Sequence, residues 1–79
     1  MTTNSYCQDR IHDAFHNVSN VVLSMVDLHE HDKEYTMKRV IPCDEHDHHI
    51  IKVVYHRFKR DVDTLTFYLD HEFHSYTMV

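Results

Sequence analysis

His49-Ile50-Ile51-Lys52-Val53-Val54-Tyr55-His56-Arg57-Phe58 is the segment on which the fold turns. It carries β-branched and aromatic residues on both alternating sets of positions, the composition of a strand at the centre of a sheet. Successive side chains of a strand point to opposite faces, so Ile50, Val54 and Phe58 belong to one face and Ile51, Val53 and Tyr55 to the other. Both faces then need cover. A competing reading caps a second helix with Asp44 and runs it from Glu45 to Arg60, because Ile50, Val54 and Phe58 also recur every four residues. The density of Ile and Val, which lose side-chain freedom in a helix, favours the strand.

Upstream, Ser5-Tyr6-Cys7-Gln8 has the spacing of a capping box, and a helix is expected to begin near Tyr6. Apolar residues follow at Ile11, Ala14, Phe15, Val18, Val21, Val22, Met25 and Leu28, with Val26 at the margin. This is the spacing of an amphipathic helix about twenty residues long, with a stripe roughly 160° wide that can lie on a sheet. Its opposite face carries Asp9, Asp13, His16, Asn20 and Asp27 and no lysine, with Leu23 set among these polar positions. Glu30, Asp32 and their neighbours form a polar loop. Tyr35, Met37 and Ile41 then alternate with Thr36, Lys38 and Val40 up to Pro42, which suits a strand end or an edge because proline cannot donate to a ladder.

Asp44, Glu45 and Asp47 make an acidic turn before the central strand, and residues 59–63 a charged connection after it. From Thr64 to Phe73 the pattern alternates cleanly: Leu65, Phe67, Leu69 and Phe73 on one face, Thr64, Thr66, Tyr68, Asp70 and Glu72 on the other. That is a half-buried strand. Short connections favour an antiparallel meander with the helix across the odd face of the last strand. The expected architecture is α+β: one long N-terminal amphipathic helix on a three-stranded antiparallel β-meander. Residues 1–79 form one domain, with 1–4 and 75–79 flexible and Tyr76 and Met78 available to cap the sheet.

Composition narrows the function. A chain of 79 residues with 42% hydrophobic content can build one small core. The absence of glycine removes functions that need positive φ or close backbone approach to a phosphate, such as the P-loop, the dinucleotide fingerprint and the nucleophile elbow. It also argues for longer turns, since two-residue hairpin turns mostly rely on glycine. The first residues lack a basic segment and an apolar stretch, so no leader or membrane span is expected and the location is expected to be cytoplasmic. Cys7 and Cys43 are accordingly expected as reduced thiols.

For chemistry, Cys43, His46, His48 and His49 lie close in sequence and His12 and His16 one helical turn apart. The spacing forms no closed tetrahedral set, so no metal or other cofactor is expected and chelation should leave the fold intact. Nothing singles out an activated nucleophile, which points away from an enzyme. Lys52 and Arg57 fall on opposite faces of their strand, so direct nucleic-acid binding is not expected.

The net charge is −5, and ten histidines would add ten charges on full protonation. A basic partner surface is the natural complement. The expected contact residues are Asp9, Asp13, Asp27, Glu30, Asp32, Asp44, Glu45, Asp47, Asp70 and Glu72, with Leu23 and Tyr68 supplying close packing. Together they suggest a small binding protein that occludes the nucleic-acid-binding face of another protein, an inhibitor and nucleic-acid mimic of the kind phages direct at host factors. Two alternatives are a metal- or pH-responsive histidine protein, and an adaptor that works through an apolar sheet face. The doubly apolar central strand, with one helix to cover it, predicts a homodimer formed through the sheet.

Overall fold

A computed structural model describes residues 5–44 and 46–79 and orders them as α1 (Ser5–Ser24), β1 (Lys33–Pro42), β2 (His48–Arg57), β3 (Thr64–Leu69) and β4 (Glu72–Met78). The four strands form one antiparallel sheet in the order β1-β2-β3-β4. The fold class is α+β, and segment 48–57 is a strand, not a second helix. Residues 1–4, Glu45 and the Ser5 side chain, on which the capping box depends, lie outside the described residues.

The sheet has four strands where three were expected, because the run from Thr64 to Phe73 is broken. Leu69 pairs with Glu72 across a two-residue turn, Asp70-His71, in which both residues have positive φ, 51° and 71°. Such turns match the twist of a hairpin and are usually built with glycine. Here the Asp70 side chain secures the turn: Oδ1 accepts the Ile50 amide at 2.9 Å, while the Asp70 amide donates to the Ile50 carbonyl at 2.8 Å. Segment 75–78 belongs to β4, which places Tyr76 and Met78 in the sheet instead of over it.

Helix α1 buries Cys7, Ile11, Ala14, Phe15, Val18 and Val22, the 3 and 4 spacing of the expected stripe. They rest on Tyr35 and Ile41 of β1, Ile51, Val53 and Tyr55 of β2, and Leu65 of β3. Ile51 and Val53 are fully buried, and each such side chain contributes about 1.5 to 3 kcal/mol. The stripe is narrower than expected. Val21 lies within α1 at the edge of the stripe and is exposed, while Met25 and Leu28 are exposed because α1 stops at Ser24 and the next amides bond three residues back, as helix ends often do.

At the end of the sheet near the α1 C-terminus, Asp63 ties β2 to the following loop. Its carboxylate accepts the Tyr55 hydroxyl at 2.6 Å and the Phe58 amide at 3.0 Å, with Arg57 at 3.8 Å. The Tyr55 bond, helped by the Phe58 amide and Arg57, holds the Asp63 carboxyl below its ordinary value of 3.8 against the opposing effect of burial. Burial, reinforced by Asp63, raises the Tyr55 hydroxyl. A depressed carboxyl stabilises the fold above its unfolded pKa and loses that contribution as pH falls through the folded value. Asp63→Asn is therefore expected to cost roughly 1 kcal/mol at neutral pH, with the gap to wild type closing as pH drops below 3.8. Urea titrations at pH 7 and pH 3 read this directly.

Candidate functional site

The helix covers the odd face of β2, and among the described residues no element lies over the even face, where Ile50, Lys52 and Val54 are half-buried. Register places Val40 beside Ile50, Lys38 beside Lys52 and Thr36 beside Val54 on this face; β3 adds Tyr68, Thr66 and Thr64, and β4 adds Phe73, Tyr76 and Met78. Phe73 was expected on the helix side. The two-residue turn pairs it with Tyr68 and so turns it to the open face, and a bulge beside Phe67 and Tyr68 then sets Tyr76 opposite Thr66. Val40, Phe73, Tyr76 and Met78 are respectively 57%, 62%, 60% and 65% exposed. Val40 lies on the outer strand opposite β4, so the contiguous exposure is that of Phe73, Tyr76 and Met78 beside the half-buried Tyr68; such a patch, rather than a scattered Leu, marks a contact surface.

Charge on the open face is positive although the chain is acidic overall. Lys38 and Lys52 are direct cross-strand neighbours, and the Lys52 ammonium lies 4.3 Å from the centroid of the Tyr68 ring. The carboxylate of Glu34 sits at the margin, 3.5 Å from His56, whose ring stacks on Phe58 at 3.9 Å. Tyr68 meets Phe73 edge to face at 6.3 Å. The centre is therefore aromatic and aliphatic around two ammonium groups.

On the other side, α1 lies over β1 and β2 and reaches β3 and β4 mainly through Phe15, which meets Phe67 at 5.2 Å and His74 at 5.4 Å. A groove runs beside it. One part, of about 450 Å³, is lined by Asp9, His12, Phe15, Leu69 and His74, and the next, of about 420 Å³, by His16, Asn20, Leu23, Phe67 and Thr77 among others. Leu23 thus borders the groove while Tyr68 lies on the opposite side of the sheet, so one flat partner cannot pack on both.

The structure does not gather the expected acidic residues into one array. Asp44, Asp47, Asp70 and Glu72 lie on the two hairpin ends near the α1 N-terminus; Asp27, Glu30 and Asp32 lie at the other end, about 30 Å away along ten-residue strands. Several are engaged in loop geometry. Asp44 Oδ1 accepts the His46 and Asp47 amides, both at 2.8 Å, and these bonds hold its carboxyl below the ordinary value. Asp27 accepts the His29 amide, Asp32 accepts the Lys59 amide, and Glu30 pairs with Lys33. Asp9 and Asp13 are exposed on α1, but Asp13 shares a shallow depression with Arg10 and Arg39, which dilutes its charge.

At the α1 N-terminus the structure joins Cys7 to Cys43 in a disulfide, with Cα atoms 5.3 Å apart, where reduced thiols were expected. The bond ties the first turn of the helix to the residue after β1. His49 stands beside the pair: one ligand-capable atom from each of Cys7, Cys43 and His49 lies within 4.8 Å of the others. Burial pushes the Asp70 carboxyl up, but the bonds from His49 at 2.6 Å and from the Ile50 amide outweigh it and keep its pKa low. Proximity along the chain groups Cys43 with His49 but gives no reason to add Cys7; only the packing of α1 against the end of β1 brings all three together.

Among the described residues no helix is long and apolar enough to cross a membrane. No protein-family model matches the chain, and no curated protein or solved structure matches it.

Proposed function

We propose that this chain is a small non-enzymatic binding protein that meets a partner protein through the open face of its sheet. The observation that carries the reading is the exposure of Val40, Phe73, Tyr76 and Met78 together on that face, around the Lys38 and Lys52 pair. Its complement is a protein surface that offers apolar side chains with carboxylates opposite the two lysines. The net charge of −5 disfavours nucleic acid as the occupant, since the rest of the molecule would repel it. A cytoplasmic setting belongs to the same proposal.

The acidic residues support a second reading, in which the protein occludes a basic, nucleic-acid-binding surface. What favours it is the convergence of Asp44, Asp47 and Glu72 on adjacent hairpin ends, with Asp9 and Asp13 on the same half of α1. Capture from the source cell with three baits separates the two: wild type, Phe73→Ser/Tyr76→Ser, and Asp9→Asn/Asp13→Asn/Glu72→Gln, whose three carboxylates all lie toward the acidic end. The aromatic pair is expected to behave as a hot spot, so its loss should weaken retention of the partner by about thirtyfold or more. The triple neutralisation should cost each exposed pair only about 0.2 to 1 kcal/mol. The reverse ranking, with capture abolished by salt, would transfer the function to the acidic end, and recovery of nucleic acid alone would overturn the choice of a protein partner.

A further inference from the structure

The disulfide, the imidazole beside it and the carboxylate behind the imidazole form a set that surface binding does not require. Cys7 is 1% exposed and sits in the first turn of α1, where unpaired amides and the helix dipole favour an anionic sulfur. Cys43 follows β1, and His49 is the second residue of β2. His49 Nδ1 lies 2.6 Å from Asp70 Oδ2. A carboxylate there fixes the tautomer with hydrogen on Nδ1 and leaves Nε2 with its lone pair. Asp70 is itself held by the Ile50 amide and by its place in the hairpin turn. A carboxylate orienting a histidine beside two cysteines is the arrangement that supports metal-ligating imidazoles.

We propose that the reduced chain binds one zinc-class divalent ion between Cys7 Sγ, Cys43 Sγ and the His49 ring, and that disulfide formation erases the site. In a tetrahedral zinc site, thiolates about 2.3 Å from the metal stand about 3.8 Å apart. Backbones 5.3 Å apart at Cα allow that separation by side-chain rotation alone, and the three donors already lie within 4.8 Å. A water molecule would complete the tetrahedral set. The chemistry balances with a dithiol reductant: it supplies two electrons and two protons, the Cys7–Cys43 bond breaks to two thiols, and the reductant becomes a disulfide. The incoming ion then displaces both thiol protons to solvent. A disulfide-class oxidant reverses the sequence, taking two electrons from the thiolates and releasing the ion.

The test uses the full chain, oxidised and dithiol-reduced, titrated with cobalt(II) and with zinc in competition with a chromophoric chelator. The reduced chain is expected to take up one ion, with cobalt showing thiolate charge-transfer and tetrahedral d–d bands, and the oxidised chain none. Cys43→Ser should abolish the charge-transfer intensity from its sulfur, His49→Gln should weaken zinc by at least tenfold, and Asp70→Asn by about tenfold. His46→Gln/His48→Gln should leave affinity unchanged. Zinc should raise the melting temperature of the reduced chain by about 10 °C near a hundredfold excess over Kd, and EDTA should leave the oxidised chain unmoved. If reduction unfolds the chain, zinc should restore its circular dichroism. Equal binding by both redox forms, loss of binding only in the His46/His48 variant, or reduced chain that neither binds nor refolds with zinc would each overturn the proposal.

Discussion

Breaking the Cys7–Cys43 bond is expected to lower stability by about 4 kcal/mol in the absence of metal. The bond spans a sequence separation of 36 residues, and the loop-closure entropy for a ring of that size comes to roughly 4 kcal/mol at 25 °C. A chain of 79 residues has a total stability of only about 4 to 12 kcal/mol. The loss would therefore take a third or more of the whole. The bond also ties the first turn of α1 to the end of β1, so that turn should open before the rest once the bond is broken. Urea unfolding with and without a dithiol measures this: with an m-value of about 1 kcal/mol/M, the midpoint should fall by about 3 to 4 M. Cys43→Ser is the cleaner variant, because Cys43 is only half-buried whereas Cys7 is part of the core. A shift below about 0.5 M would mean that packing of Ile11 and Phe15 already fixes the helix start.

Much of this architecture can be read from alternation, and its gaps have physical causes. The odd positions of β2 and β3 and the stripe of α1 identify the core because burial is periodic in both element types. The fourth strand stays hidden because Asp70 and His71 carry no glycine signal, and because Phe73 continues the odd-numbered phase of Leu65, Phe67 and Leu69. A turn stabilised by a bond from Ile50 in the neighbouring strand is invisible to local sequence. The open face was legible in outline, since Ile50 and Val54 have no second helix to cover them. Its extension through Phe73, Tyr76 and Met78 depends on the turn and the bulge. The described residues of the expected acidic set are exposed, but their separation into two ends, and the use of Asp27, Asp32 and Asp44 as acceptors for loop amides, follow from the path of the chain.

A dimer is expected to form at micromolar concentration, through the β4 edge. β4 is an outer strand with six of its seven residues exposed, and the sequence Glu72-Phe73-His74-Ser75-Tyr76-Thr77-Met78 has neither lysine nor proline to discourage pairing. Unprotected edges of this kind recruit another strand. Antiparallel pairing of two copies about Tyr76 would set Tyr76 opposite its own copy on the open face and Ser75 opposite Thr77 on the other, so no like charges meet. Stacking the two open faces instead would bring the Lys38 and Lys52 pairs of both copies together, which disfavours that mode. Edge pairing keeps both open faces available and doubles the surface offered to a partner. Sedimentation should give twice the monomer mass of 9.6 kDa. Ser75→Lys/Thr77→Lys places repelling charges along the edge on the side turned from the open face, and should return the monomer while leaving partner capture measurable. Phe73→Ser/Tyr76→Ser should weaken capture yet preserve the dimer; loss of the dimer in this variant alone would show that the copies stack face to face. A wild-type chain that sediments only as a monomer would mean that the open face works as a single four-stranded platform.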